Sequence, residues 1–153
     1  MAEQLVASRI ATADDRSLVE RLERSAEAEA RPERGGELLL EVDRPLIAAR
    51  DAAAGEQAVT VVGLIDGVVV GYARCRQLAT GSHRVASIDD LYVHPEARGV
   101  GVGASMLLLL RDWASEHGCT HIESQVLPGN REAKNFFERM GMVTRRMQVS
   151  TAL

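Results

Sequence analysis

Cysteine is nearly absent. Cys75 and Cys119 are the only two, they lie far apart without CxxC spacing, and neither a disulfide framework nor a zinc site can be built on them. They read as small buried apolar residues. Lysine is scarcer still, with Lys134 alone among 18 basic residues, and 22 acidic residues leave a net charge of −4. Affinity for nucleic acid irrespective of sequence needs a basic face. No nucleic-acid partner is therefore expected, and a small cationic substrate suits the charge better. No apolar run approaches the roughly 20 residues of a membrane span. The opening MAEQLVASRI also lacks the long apolar segment behind a basic flank that marks a secretory leader. These absences predict a soluble, cytoplasmic protein with no membrane contact. The four histidines, His83, His94, His117 and His121, show no ligand spacing, and no metal is expected.

What is present suits one globular domain over residues 1–153: 46% of the residues are hydrophobic and 26% charged, enough to bury about two-thirds of the unfolded surface. QLVASRI reads as a short strand, and Thr12 with Asp15 reads as a capping box opening a helix that carries Leu18, Val19, Leu22 and Ala26 on one face and ends near Pro32. An irregular connection and a shorter helix around Leu46 to Ala53 follow. The stretch AVTVVGLIDGVVVGYARCRQL is a hairpin pivoting on Asp66-Gly67. In HRVASIDDLYVHP the alternation breaks, because Ile88 and Leu91 cannot share a face in strict period two. A bulge near Asp89 and Asp90 repairs it. A helix after Gly103 presents Met106, Leu107, Leu110, Trp113 and Ala114, and Gly118 closes it. CTHIESQVL is a strand. Asn130 then caps a helix with Ala133, Phe136, Phe137 and Met140 inward, and MVTRRMQVS is a last strand. This order gives an α/β (α+β) fold, a mixed and mostly antiparallel sheet with helices on its faces.

Three glycines in five positions, Gly99, Gly101 and Gly103, stand at the mouth of the most apolar helix. A helix start exposes free N–H groups and about half a positive charge, and glycines let an oxyanion approach without a Cβ in the way. Arg98 adds a mobile cation suited to phosphate. A pyrophosphate fits such a turn. A P-loop needs Lys followed by Ser or Thr where Ala104-Ser105 stands, which excludes nucleotide triphosphate hydrolysis. The dinucleotide fingerprint is formally met by Gly99, Gly101 and Ala104, with Glu123 nineteen residues on. Its usual place, however, is the first tight βα turn of a fold, and here most of the sheet comes earlier.

Coenzyme A is the third possible owner. The run IDDLYVHPEARGVGVGA, Ile88 to Ala104, closely resembles the acyl-CoA-binding motif of the GCN5-related N-acetyltransferase (GNAT) superfamily, [QR]-x-x-G-x-[GA], met by Arg98, Gly101 and Gly103. NREAKNFFERMGM resembles that family's second motif, with Asn130, Ala133, Phe136 and Gly141 in register. Together the motifs cover about a third of the chain. The resemblance implies a single-domain GNAT fold, a sheet of six to seven strands flanked by about four helices, with acetyl-CoA as the cofactor.

Carried over by that resemblance, Leu91, Tyr92 and Val93 contact the acyl-pantetheine arm. Arg98, Gly99, Val100, Gly101, Val102, Gly103 and Ala104 hold the pyrophosphate, and Asn130 and Phe137 complete the cofactor site. A backbone N–H near Leu91 polarises the thioester carbonyl. The implied acceptor is a primary amine of a small molecule or protein. With a pKa near 10.4, only about one part in a thousand of it is neutral at pH 7. A base must therefore take its proton, and Asp89 and Asp90 are the candidates, Asp89 favoured if the strand bulges. Where the family commonly has a tyrosine that protonates the leaving thiolate, this chain has Phe137. That departure keeps an alternative open, an acyl-CoA-binding sensor or interaction module with little catalysis. The resemblance places acceptor recognition between Leu18 and Arg50, where Glu27, Glu29, Glu33, Glu37 and Glu41 either attract a cation or solvate the surface. It also makes a homodimer through the C-terminal strand possible.

Overall fold

A computed structural model describes residues 3–54 and 57–153. β1 (Val6–Ile10) leads through a short 3-10 turn into α1 (Arg16–Ala30). The connection expected to be irregular is largely helical: α2 (Gly36–Leu38) continues through a π-helical turn (Leu39–Asp43) into α3 (Arg44–Ala54), which contains the helix expected around 46–53. β2 (Ala58–Ile65) and β3 (Val68–Thr80) form the expected hairpin. Asp66 and Gly67 take φ of 50° and 82°, the left-handed pair that a two-residue turn between twisted strands demands. β4 (His83–Val93), α4 (Val102–Glu116), β5 (His121–Ser124) and α5 (Arg131–Arg139) complete the chain's elements.

The sheet runs β1-β2-β3-β4-β5, antiparallel until the last pair, in which β5 lies parallel to β4. α4 supplies the crossover a parallel pair needs. Strand alternation divides the core in two. Val61, Ala73, Cys75 and Ile88 pack against Val102, Met106, Leu107 and Leu110 of α4, while Val62, Leu64, Tyr72 and Tyr92 meet Val19 of α1 on the other face. Gly63 and Gly71 lie under α4 because no side chain fits there. A Cβ on Gly63 would stand 2.4 Å from Val102 Cγ1, and one on Gly71 2.8 Å from the Tyr92 carbonyl oxygen. Gly63→Ala is accordingly expected to destabilise the protein by about 1–3 kcal/mol through overpacking, read as a lowered denaturant midpoint.

Five strands are present among the described residues, not six to seven. The expected strand over 142–150 does not form, and Val143, Met147 and Val149 are each at least 85% exposed. Alternating apolar residues specify a face, but a strand also needs a neighbouring backbone to pair its N–H and C=O groups. The tail touches β5 through side chains, Arg145 with Glu123, and joins no ladder. The strand expected from CTHIESQVL is likewise only four residues long.

That shortness shapes the molecule. β5 pairs with β4 only from Val85 to Ile88, so β4 continues to Val93 with one edge left unpaired. The expected bulge falls at the same level. Ile88 opposes Cys75 and Asp90 opposes Arg74, which makes Asp89 the extra residue.

Candidate functional site

β4 ends in a 3-10 turn (Pro95–Ala97), and Arg98 to Gly101 then carry the chain into α4. Gly99 and Gly101 have φ of 82° and 99°, and no heavy atom lies within 4 Å of the place where either would carry a Cβ. Gly101 is the N-cap of α4, and no side chain caps that helix start. Its first N–H groups therefore face open space with the positive end of the helix dipole behind them. Val102 is buried and anchors the turn in the core, so it offers only backbone. Val100 is exposed and Ala104 half-buried. At Gly103 a Cβ would sit 3.4 Å from Phe136 and 3.7 Å from Leu91, which ties the turn to α5 and β4. An uncapped helix start with open space before its glycines can accept an anion.

The free edge of β4 begins where β5 stops. His94 N–H donates to the Val70 carbonyl of β3 at 2.8 Å. Because backbone groups alternate in direction along an antiparallel strand, Leu91 and Val93 point theirs away from β3, toward the edge β5 has left. The Val93 carbonyl accepts from Arg98 Nε at 2.8 Å, and Leu91 N–H lies on the same edge. Tyr92 faces the opposite way, and its hydroxyl donates to Glu29 Oε1 at 2.8 Å.

Arg98 is not the mobile cation its place in the sequence suggests. Besides the Val93 carbonyl it donates to Glu29 Oε2 at 2.8 Å and Glu132 Oε2 at 3.3 Å, and its guanidinium lies 5.3 Å from the Tyr92 ring centre. Burial works against it, yet the bonds from Arg98 and Tyr92 hold the Glu29 carboxyl below its ordinary range. Arg98 thus braces α1 against the end of β4.

The two aspartates separate clearly. Asp89 receives Arg76 Nε on both carboxylate oxygens, at 3.0 and 2.9 Å, and Arg76 is buried. Asp90 accepts from Arg44, which also lies 3.7 Å from Glu27. The Asp90 side chain is only 11% exposed. Burial pushes its carboxyl up to about 6 in spite of Arg44 and Arg74. A carboxylate with that proton affinity takes up a proton near neutrality far more readily than an ordinary one. Asp90 is thus the buried carboxylate of raised proton affinity, and Asp89 the one held on both oxygens by Arg76. A cleft of about 480 Å³ lined by Thr12, Arg16, Thr60 and Arg74 opens on the α1 side of the sheet; Asp90 does not line it but stands across from Arg74 in the row that Thr60 begins.

Asn130 is the cap expected of it, its Oδ1 accepting from Ala133 N–H at 3.1 Å. Phe137 is buried, edge-on to Phe136 at 5.1 Å, and brings no proton. Burial pushes the Cys75 thiol up to about 12 and raises that of half-buried Cys119, so neither is a thiolate nucleophile near neutrality.

The residues around Asp90 escape a motif search. Arg44 lies 46 positions upstream, and Glu23 pairs with Arg74 from α1. A signal for part of the set does exist: Tyr72, Arg74 and Arg76 alternate along β3 and so share a face with one another, an odd load of charge for a buried strand.

The model of the Acetyltransferase (GNAT) family matches residues 17–142. Thialysine N-epsilon-acetyltransferase of Bos taurus is 31% identical over 74 residues, 48% of this chain and 44% of that protein. Aminoglycoside N(6')-acetyltransferase type 1 of Stenotrophomonas maltophilia is 32% identical over 74 residues, 45% of this chain and 48% of that protein. The chain thus matches somewhat under half the length of these relatives. Among solved structures, a tetramutant of the BH1408 protein from Bacillus halodurans aligns with a TM-score of 0.77 at 24% identity, covering 95% of this chain and 99% of that one. An aminoglycoside N-acetyltransferase in complex with CoA aligns at 0.69 and 16% identity, covering 95% and 98%.

Proposed function

The chain belongs to the acetyltransferase (GNAT) family, whose members use acetyl-CoA, and from that premise we propose that it moves an acetyl group from acetyl-CoA to a primary amine by direct attack in a ternary complex. The observation that carries the reading is the conjunction of an open glycine cradle, an unpaired β4 edge and a buried carboxylate of raised proton affinity within one short stretch, Asp90 to Gly103. Acetyl-CoA, when bound, supplies the thioester carbonyl that the amine attacks, with loss of the thiol.

The chain's own residues then divide the work. N–H groups of the Gly99 to Ala104 turn hold the pyrophosphate. The free edge at Leu91 and Val93 would receive the pantetheine arm as an added strand, and Leu91 N–H would be the donor placed for the thioester oxygen. Asp90 takes the ammonium proton, and that frees the lone pair for attack. Tyr92, its backbone directed at Tyr72 of β3 and its hydroxyl held by Glu29, steadies the strand and makes no contact with the arm. Asn130 acts through the α5 start it caps. Phe137 has no proton to give, so solvent would protonate the leaving thiolate and receive the second proton that the nitrogen sheds once it has bonded to carbon. With a pKa near 8.5 the thiol leaves without needing an acid. The acceptor approaches on the α1 side, over the row Thr60, Arg74 and Asp90. Its relatives act on amines as different as those named by thialysine and aminoglycoside.

Phe137 is the observation that favours a second reading, a CoA-binding module with little catalysis. Thiol release from acetyl-CoA over a panel of primary amines separates the two. Acceptor-stimulated release is expected, whereas tight CoA binding with no release from any amine would leave only the module.

A further inference from the structure

Among the described residues, Tyr72 carries a buried side-chain polar atom for which no hydrogen-bond partner is present. The residue is 0% exposed. A phenylalanine in that position would avoid the cost of desolvating a hydroxyl, so the hydroxyl calls for an explanation. Tyr92, directly across the β3–β4 ladder with its ring 6.4 Å away, already commits its own hydroxyl to Glu29.

Position explains it. Tyr72 and Arg74 share a face of β3, and Arg74 stands opposite Asp90 in the register. Tyr72 and Asp90 are therefore diagonal neighbours, a separation of about 7–8 Å that an aromatic side chain spans most of the way. Burial, with smaller contributions from the Asp90 and Glu23 carboxylates, pushes the phenol's pKa far above the ordinary value, so it stays a donor at every working pH. The charged groups acting on Asp90 come from three sides: Arg44 from α3 and Arg74 from β3 favour its charged form, while Glu23 from α1 and the adjacent Asp89 oppose it.

We propose that Tyr72 is a positioning residue for Asp90: its hydroxyl donates through one bridging water to the Asp90 carboxylate, fixing the direction and the proton affinity of that group. Arg74 and Glu23 act electrostatically on both Tyr72 and Asp90, so a bridging water would draw on the same groups for the two to four polar partners that buried waters require. The donor stabilises the carboxylate against its burial and keeps Asp90 ionisable near neutrality instead of locked in the acid form.

The proposal that Asp90 is the base rests on the function proposed above, whereas its coupling to Tyr72 does not, and a direct titration keeps the two apart. Carbon-13 NMR of the Asp90 carboxyl in the full chain is expected to show a midpoint about one pH unit higher in Tyr72→Phe than in the wild type, since a donor to the charged form has been lost. Thermal stability of the variant should not rise. An unchanged midpoint, with Tyr72→Phe more stable than the wild type, is the behaviour of an idle buried hydroxyl and would overturn the proposal. Acetyl transfer adds a second readout: the acid limb of kcat/KM for the amine moves with the NMR midpoint. A wild type that releases no thiol with any amine would defeat the acetyltransferase reading and leave the titration to decide Tyr72 by itself.

Discussion

Gly101→Glu is expected to weaken CoA binding by a factor on the order of 10²–10⁴ while the protein stays folded. The residue sits at φ 99° with open space in front of it, so a side chain meets nothing in the fold and projects into the anion cradle. Two effects follow and can be separated. A left-handed backbone costs any residue with a Cβ about 1–2 kcal/mol, which appears as lost stability. The carboxylate also occupies the helix start as a built-in anion and repels the phosphate, removing charge-assisted hydrogen bonds of about 1.5–3 kcal/mol each. Loss of two gives the stated factor. Gly101→Ala carries the strain without the charge and should bind CoA much more nearly like the wild type. Calorimetry with CoA reads both. Equal losses in the two variants would assign the effect to strain, and unchanged affinity in the glutamate variant would remove the pyrophosphate from this turn.

Asp90→Asn is expected to lower kcat by a factor of about 10²–10⁴, the range usual for a positioned base, with CoA affinity unchanged. Its stability should move the other way. The folded Asp90 has its pKa raised to about 6 from an ordinary 3.8. The folded state therefore binds more protons than the unfolded one between those values, and the stability Asp90 lends at low pH is lost as pH rises through 6. Above that window the charged, buried carboxylate is a net burden, and the amide relieves it by up to about 3 kcal/mol at pH 7. Greater stability with less activity is the mark of a functional group held against its preference. Asp89→Asn should show the opposite pattern. It weakens the pairing with buried Arg76, lowers stability by about 1–3 kcal/mol and leaves more of the turnover. A larger loss of kcat in Asp89→Asn than in Asp90→Asn would return the base to the bulged residue.

Much of this could be read from the chain because the signals are local. The Asp66-Gly67 turn, the caps at Asn130 and Gly118, and the glycines before α4 each depend on a few neighbouring residues. The bulge was legible for a similar reason: Ile88 and Leu91 are both needed in the α4-side core, and only an extra residue between them allows it. Three features were not legible. The last strand failed because alternation in MVTRRMQVS says nothing about whether a partner edge is available. Arg98 reads as a free cation in sequence, but its partners Glu29 and Glu132 come from α1 and α5. The choice between Asp89 and Asp90 depends on which carboxylate Arg76 and Arg44 reach, and those arginines lie 13 and 46 residues away. Sequence names the two candidate carboxylates, while long-range pairing sets how each is held.

The most direct test is the pH dependence of kcat/KM for an accepted amine at saturating acetyl-CoA, in the wild type and in Asp90→Asn. A buried base with a pKa near 6 predicts an acid limb centred there, well below the amine's own ionisation near 10.4, and predicts that the limb disappears in the asparagine variant. A wild-type profile without that limb, or an Asp90→Asn enzyme that retains both the limb and the turnover, would contradict the account.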